Sequence, residues 1–165
     1  MKKYLIITSA LNTPKLNSDQ LVIRLADYRS GFYHVLRFKD NFDTITLIEC
    51  LSKENIKEFE EFKDLGINTY YSTFDNHHKN KGANELCHIW DFIKEDFIDE
   101  EDIIVKITGR YILNDVNILT YFNDNNIDVV VKTDKDVYHN SASTSVHSFF
   151  LAVEKNSLEK CMTIL

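Results

Sequence analysis

Lys106, Gly109, Arg110 and Tyr111 fall close together in one run, "DIIVKITGRYILND", Asp102 to Asp115. Arg110 offers a planar fork of donors that suits bidentate contact with a phosphate. Gly109 has no Cβ, so its backbone can approach a ligand closely. Tyr111 can stack on that ligand or hydrogen-bond to it. Lys106 sits among Ile, Val and Ile, where an ammonium is costly unless an anion meets it. An edge position or a solvated strand face is the plain alternative for this lysine. Taken at face value, the residue types suit a phosphate group.

The remaining candidates stand at the ends of other apolar runs. Thr8, Ser9 and Ala10 close the first run, and Thr108 closes the run that holds Lys106. Glu49 ends the second, where a carboxylate can accept from a ribose or a base edge. Asn80, Lys81 and Gly82 open a helical segment, and a helix start with free N–H groups and a lysine suits a phosphate or a ribose hydroxyl. Asn is also an ordinary cap and Gly an ordinary turn residue. His77, His78, His139 and His147 are available as bases, yet none has a partner at metal-ligand spacing. The literal Asp-x-Asp, Asp134-Lys135-Asp136, lies in a polar loop, and Asp115 follows Tyr111 by four residues.

These residues need a scaffold that brings strand ends together, and the pattern predicts one. "KKYLIITSA" reads as a buried first strand, followed by a loop around Pro14. From Gln20 to Phe38, apolar positions Leu21, Leu25, Tyr28, Phe32 and Val35 or Leu36 predict a helix, with Asn17 and Gln20 spaced as a capping box and Gly31 expected to kink or split it. Thr44 to Cys50 predicts strand two, "KENIKEFEEFKDLG" a helix stopped by Gly66, and "INTYYSTF" strand three. A helix over "NKGANELCHIWDFIKEDF", strand four "DIIVKIT", a short helix from Asp115 to Phe122, strand five "IDVVVKT", strand six "VHSFFLAVE" and a helix from Ser157 follow. Strands alternating with helices predict a mostly parallel, Rossmann-like α/β sheet with helices on both faces. In such sheets ligands sit beyond the carboxyl ends of the strands, where the candidates lie. "HNSASTS" reads either as a lid near the ligand or as an ordinary connection.

Composition narrows the classes. The chain has 165 residues, room for one full core, so a single domain over residues 1–165 is expected. A net charge of −7 argues against phosphate-backbone binding, so no nucleic-acid partner is expected and an anionic ligand must be held by a few local cations. Three cysteines, Cys50, Cys87 and Cys161, fit neither a disulfide framework nor a zinc site, which points to reduced thiols and a cytoplasmic setting. "MKKYLIITSALN" imitates a signal peptide but is interrupted by Thr8 and Ser9 and has no cleavage pattern. No apolar run is long enough to span a bilayer.

The run "KITGRY", preceded by the "NKGANEL" helix start, resembles the K-x-[ST]-G-R-Y segment of small GT-A-fold glycosyltransferases, which occur in bacterial polysaccharide clusters and large DNA viruses. The likeness in element order extends from Lys3 to about Val153. It implies transfer of a sugar from a UDP- or GDP-sugar to a glycan or other hydroxyl acceptor. It further implies that Lys106 and Arg110 stabilise the departing diphosphate while Glu49 and Thr8 to Ala10 hold the nucleoside. Where GT-A enzymes carry an Asp-x-Asp that holds a divalent metal, this chain has Thr108-Gly109-Arg110, which puts a need for Mn²⁺ or Mg²⁺ in doubt. The acceptor side is expected to be either minimal or truncated. A non-catalytic nucleotide-binding or interaction domain is the competing reading. A receiver-like domain using Asp75 and Lys132 would need an acidic pair where Thr8-Ser9-Ala10 stands.

Overall fold

The computed structural model describes residues 1–11, 13, 16–95, 98–123, 129–133 and 146–163. Pro14, Asp134 to Asp136 and the whole "HNSASTS" stretch of the candidate lid, His139 to Ser145, lie outside the described residues. Six strands form one sheet: β1 (Lys3–Ser9), β2 (Thr44–Glu49), β3 (Asn68–Tyr71), β4 (Ile103–Thr108), β5 (Val129–Thr133) and β6 (Val146–Glu154). Their order is β3-β2-β1-β4-β6-β5, with β1 to β4 mutually parallel and β6 antiparallel to both β4 and β5. The predicted class, a mostly parallel α/β sheet with helices on both faces, is what the chain adopts.

Alternation along the strands decides which helices cover which face. Leu5 and Ile7 of β1, Ile45 and Leu47 of β2, and Ile103, Val105 and Ile107 of β4 pack beneath the helix α1 (Ser18–Leu36) and the short helix α2 (Glu60–Lys63). Tyr4, Ile6, Ile48 and Ile104 face the other way, onto α3 (Lys81–Glu95) and α4 (Lys155–Met162), through Ile89, Phe92, Ile93 and Leu158. Such two-residue periodicity is what a sheet buried on both faces requires. Lys106 shares its parity with Ile104 and therefore points towards α3.

Local chemistry explains the boundaries. The capping box of α1 is present, with Asn17 Oδ1 accepting from the Gln20 amide at 2.9 Å and Gln20 Oε1 from the Asn17 amide at 3.1 Å. The helix expected over Lys53 to Gly66 is reduced to a 3₁₀ turn, Lys57–Phe59, and α2. Its apolar residues Ile56, Phe59 and Phe62 are all buried, Ile56 from extended backbone ahead of the turn, Phe59 from its end and Phe62 from α2. Gly66 stops the segment as expected, at φ 87°, while the Ile67 amide reaches back to the Phe62 carbonyl at 3.0 Å. At the amino edge of the sheet, buried Asp102 accepts from the amides of Lys2 and Asp99 at 2.6 and 3.1 Å.

Gly31 neither kinks nor splits α1, which runs unbroken through it. A Cβ placed on Gly31 would lie 2.0 Å from the carbonyl oxygen of Gly109, so the helix and the turn after β4 meet backbone to backbone. A Cβ on Gly109 would in turn meet the Phe32 ring at 2.6 Å and the Tyr28 ring at 2.9 Å. The close approach that Gly109 allows is therefore to α1. Since both glycines are required by space, Gly31→Ala is expected to destabilise the protein by about 1–3 kcal/mol or more in urea unfolding. A gain of stability, the usual outcome for Gly→Ala inside a helix, would contradict this contact.

Candidate functional site

The chain builds β2 and β3 to one side of β1, then crosses the opposite face through α3 to place β4 on the other side. The connections therefore diverge beyond the carboxyl ends of β1 and β4, the place where an open α/β sheet leaves a crevice. Thr8 and Thr108 are register partners at that point, and the Gly109 amide continues the ladder to the Thr8 carbonyl at 2.9 Å.

Four side chains converge there. Lys106 Nζ lies 2.8 Å from Glu85 Oε2 and donates to Thr108 Oγ1 at 3.1 Å. Glu85 Oε1 accepts from Thr108 Oγ1 at 3.3 Å and from the Thr8 hydroxyl. The lysine side chain is only 2% exposed and the glutamate 19%, so the ammonium lies beneath and the carboxylate nearer solvent. Burial pulls the Lys106 ammonium below its ordinary pKa, and the Glu85 carboxylate partly offsets this. The anionic partner that a buried Lys106 demanded is thus an α3 residue that motif reading passed over. Glu85 was discoverable: it precedes Ile89 by four and Phe92 by seven positions, on the stripe that faces the sheet.

Glu49 has a different occupation. It is 1% exposed, and its two oxygens accept from the Ser9 hydroxyl and from the amides of Leu11, Leu51 and Ser52, the last three at 3.2, 3.0 and 3.3 Å. The carboxylate expected to meet a ribose thus clamps the loops that follow β1 and β2, and Ser9 is held with it. The Ala10 amide is likewise engaged, donating to the Tyr28 hydroxyl at 2.9 Å.

At the start of α3, Asn80 Oδ1 accepts from the amides of Gly82 and Ala83 at 2.8 and 3.3 Å. This ordinary cap takes two of the N–H groups expected to be open to a ligand. Lys81 is exposed one turn before Glu85. Arg110 and Tyr111 are exposed on the turn that the two glycines press against α1. Among the described residues, none forms a hydrogen bond or ion pair with the Arg110 guanidinium. Lys106 and Arg110, expected to act together on a diphosphate, are therefore divided, with one cation internally neutralised and one open to solvent.

A second polar cluster lies one turn along α3. His88, 1% exposed, contacts Ser72 Oγ at 2.8 Å through Nδ1 and Asn76 Oδ1 at 3.1 Å through Nε2. Asp91 accepts from Ser72 Oγ at 2.8 Å, the Thr73 amide at 3.0 Å and the Tyr70 hydroxyl at 3.2 Å. The Phe74 ring stands edge-on to His88. Burial lowers the His88 pKa, with Asp91 and Glu85 opposing. His77 is exposed and His78 half-buried, so the enclosed histidine is one that the sequence pattern did not single out. Among the described residues, no group of three or more His, Cys, Asp or Glu side chains is placed to hold a metal ion. Nor is any described helix long and apolar enough to cross a membrane.

No protein-family model and no curated protein matches the chain. Solved structures do, among them the crystal structure of a 4-diphosphocytidyl-2C-methyl-D-erythritol synthase, with a TM-score of 0.52 and 11% identity over 99% of this chain and 79% of the other. At that identity the likeness is one of fold.

Two outcomes test this geometry. Glu85→Gln leaves the buried ammonium without its counter-ion and is expected to cost about 3–5 kcal/mol, whereas adding Lys106→Met recovers most of the loss; equal losses in single and double variants would show that the pair is not coupled. Because the folded state depresses the His88 pKa, the unfolded chain binds the extra proton first as pH falls below about 6.5. Stability is therefore expected to decline from there down to the folded value, with His88→Leu flattening that slope; the same slope in both proteins would exclude His88 as its source.

Proposed function

We propose that the protein binds a nucleotide sugar, UDP- or GDP-linked, in the crevice beyond β1 and β4 and transfers the sugar to a hydroxyl acceptor. The observation that carries this reading is Arg110, whose exposed guanidinium has no ion pair or hydrogen bond among the described residues and whose backbone is held at the carboxyl end of β4 by the Gly109 contact. Two further points support it: the resemblance of "KITGRY" to GT-A glycosyltransferases, and a shared fold with an enzyme named for making a diphosphocytidyl compound.

In the proposed reaction the acceptor oxygen attacks the anomeric carbon and gives up its proton as the bond to the diphosphate breaks. Charge develops on the departing diphosphate, and a guanidinium fork beside it stabilises that charge more strongly than the bound donor. Arg110 takes that role. Lys106, its charge met by Glu85, supports the floor of the site, while Thr8, Thr108 and the start of α3 border the nucleoside and sugar. Tyr111 stands beside Arg110, within the same turn, to stack on the ligand.

One observation favours a non-catalytic nucleotide-binding domain: with Lys106 neutralised, the β4 end offers a leaving diphosphate one cation instead of two. Consumption of the donor with an acceptor, or by slow hydrolysis, separates transferase from binder.

A panel including UDP-glucose and GDP-mannose, measured by thermal shift with and without Mn²⁺, tests binding. Ligand at about 100 times its Kd adds about 2.7 kcal/mol, which for a chain of this size raises the Tm by roughly 5–10 °C. Arg110→Ala is expected to weaken binding roughly ten- to hundredfold, the loss of a charge-assisted contact. No shift with any donor, or full affinity in the variant, would remove the diphosphate from this site.

A further inference from the structure

We infer that Glu85 is a ligand-binding residue, a preorganised acceptor for the hydroxyl groups of the ribose or the sugar. This rests on the reading of the crevice as a nucleotide-sugar site.

Three donors hold the Glu85 carboxylate from below and from the sides: Lys106 Nζ at 2.8 Å, Thr108 Oγ1 at 3.3 Å and the Thr8 hydroxyl. They come from β1 and β4, the two strands between which the crevice opens. A carboxylate has about four acceptor positions, so three donors leave room for one more. The side chain is 19% exposed over a lysine that is 2% exposed, so the unused position faces outward. Support of this kind, with the bound atom fixed by buried partners on rigid strands, is what an accurate binding site requires.

Packing alone does not explain the pair. A buried ion pair is often no better for stability than apolar side chains of similar volume. Position 106 lies between the apolar register partners Ile6 and Leu151, where a leucine or methionine would serve a purely structural purpose. Lys106 is therefore a positioning residue, and what it positions is Glu85. It also solves an electrostatic problem. A lone carboxylate in the crevice would repel a diphosphate, whereas the neutralised pair presents hydrogen-bond acceptance without net charge.

This chemistry selects the ligand group. A charged carboxylate accepts strongly from O–H donors and rejects phosphate oxygens, so Glu85 takes a hydroxyl and leaves the diphosphate to Arg110. Glu49, the other carboxylate at a strand end, is saturated by four donors of its own chain and is not available for this role.

The test uses the full chain, UDP-glucose, GDP-mannose and inorganic pyrophosphate, with affinities read by calorimetry. The double variant Glu85→Gln with Lys106→Met removes the charge without stranding the ammonium. The variant Glu85→Asp keeps the charge and withdraws the carboxylate by one methylene, and covers the case in which the double variant does not fold. Both are expected to keep the wild-type affinity for pyrophosphate and to bind the nucleotide sugar roughly ten- to hundredfold more weakly, the range of one hydrogen bond to a charged group. If the wild type binds a nucleotide sugar and the folded variants bind it equally well, the role of Glu85 is overturned while the proposed function stands. If the wild type binds neither nucleotide sugar, both fall together.

Discussion

The contact on which the crevice depends is the ion pair between Lys106 and Glu85, buried where β4 passes beneath the first turns of α3. An ammonium in an apolar strand is tolerable only with an anion at contact distance and its remaining protons satisfied. Glu85 supplies the anion and Thr108 accepts a second proton, and together they tie the start of α3 to the ends of β1 and β4. The helix start, the strand ends and the turn that bears Arg110 consequently share one frame. An apolar pair would seal the two layers as well but would leave no oriented polar group at the divergence of the connections.

On the opposite face the same turn is fixed by the absence of side chains. Gly31 and Gly109 let helix and turn touch through their backbones, and the Phe32 and Tyr28 rings close over Gly109. Arg110 and Tyr111, next in sequence, have nowhere to go but outward. A glycine pair on one face and an ion pair on the other thus hold the backbone of the short Thr108-Gly109-Arg110-Tyr111 segment, which fixes where the Arg110 side chain leaves the turn.

How much of this could be read from residues alone depends on the range of the interaction. Strand alternation, the capping box at Asn17 and the Gly66 stop are local and were legible. The position of Lys106 in a buried strand was legible too, and so was its need for an anion, but the identity of that anion was not, because Glu85 lies in another element and reaches Lys106 only through the crossover. Glu49 is hidden for the same reason: its strand-end position is visible in sequence, whereas the four donors that saturate it are Ser9 at the end of β1 and three amides from the loops after β1 and β2. Gly109 was recognised as a site of close approach, but the partner, a glycine on α1, is distant in sequence. The expected helix after Lys53 is shorter than its apolar pattern suggests, because Ile56 reaches the core from extended backbone and only Phe59 and Phe62 are carried on helical turns.

Recognition of a nucleotide sugar where β1, β4 and the start of α3 meet, as proposed, is tested most directly by amide chemical-shift mapping by NMR during titration with UDP-glucose and GDP-mannose. Saturable shifts concentrated in residues 8–10, 81–85 and 108–111 are expected. Shifts centred instead on residues 72–78 around His88, or no saturable shift with either compound, would contradict it.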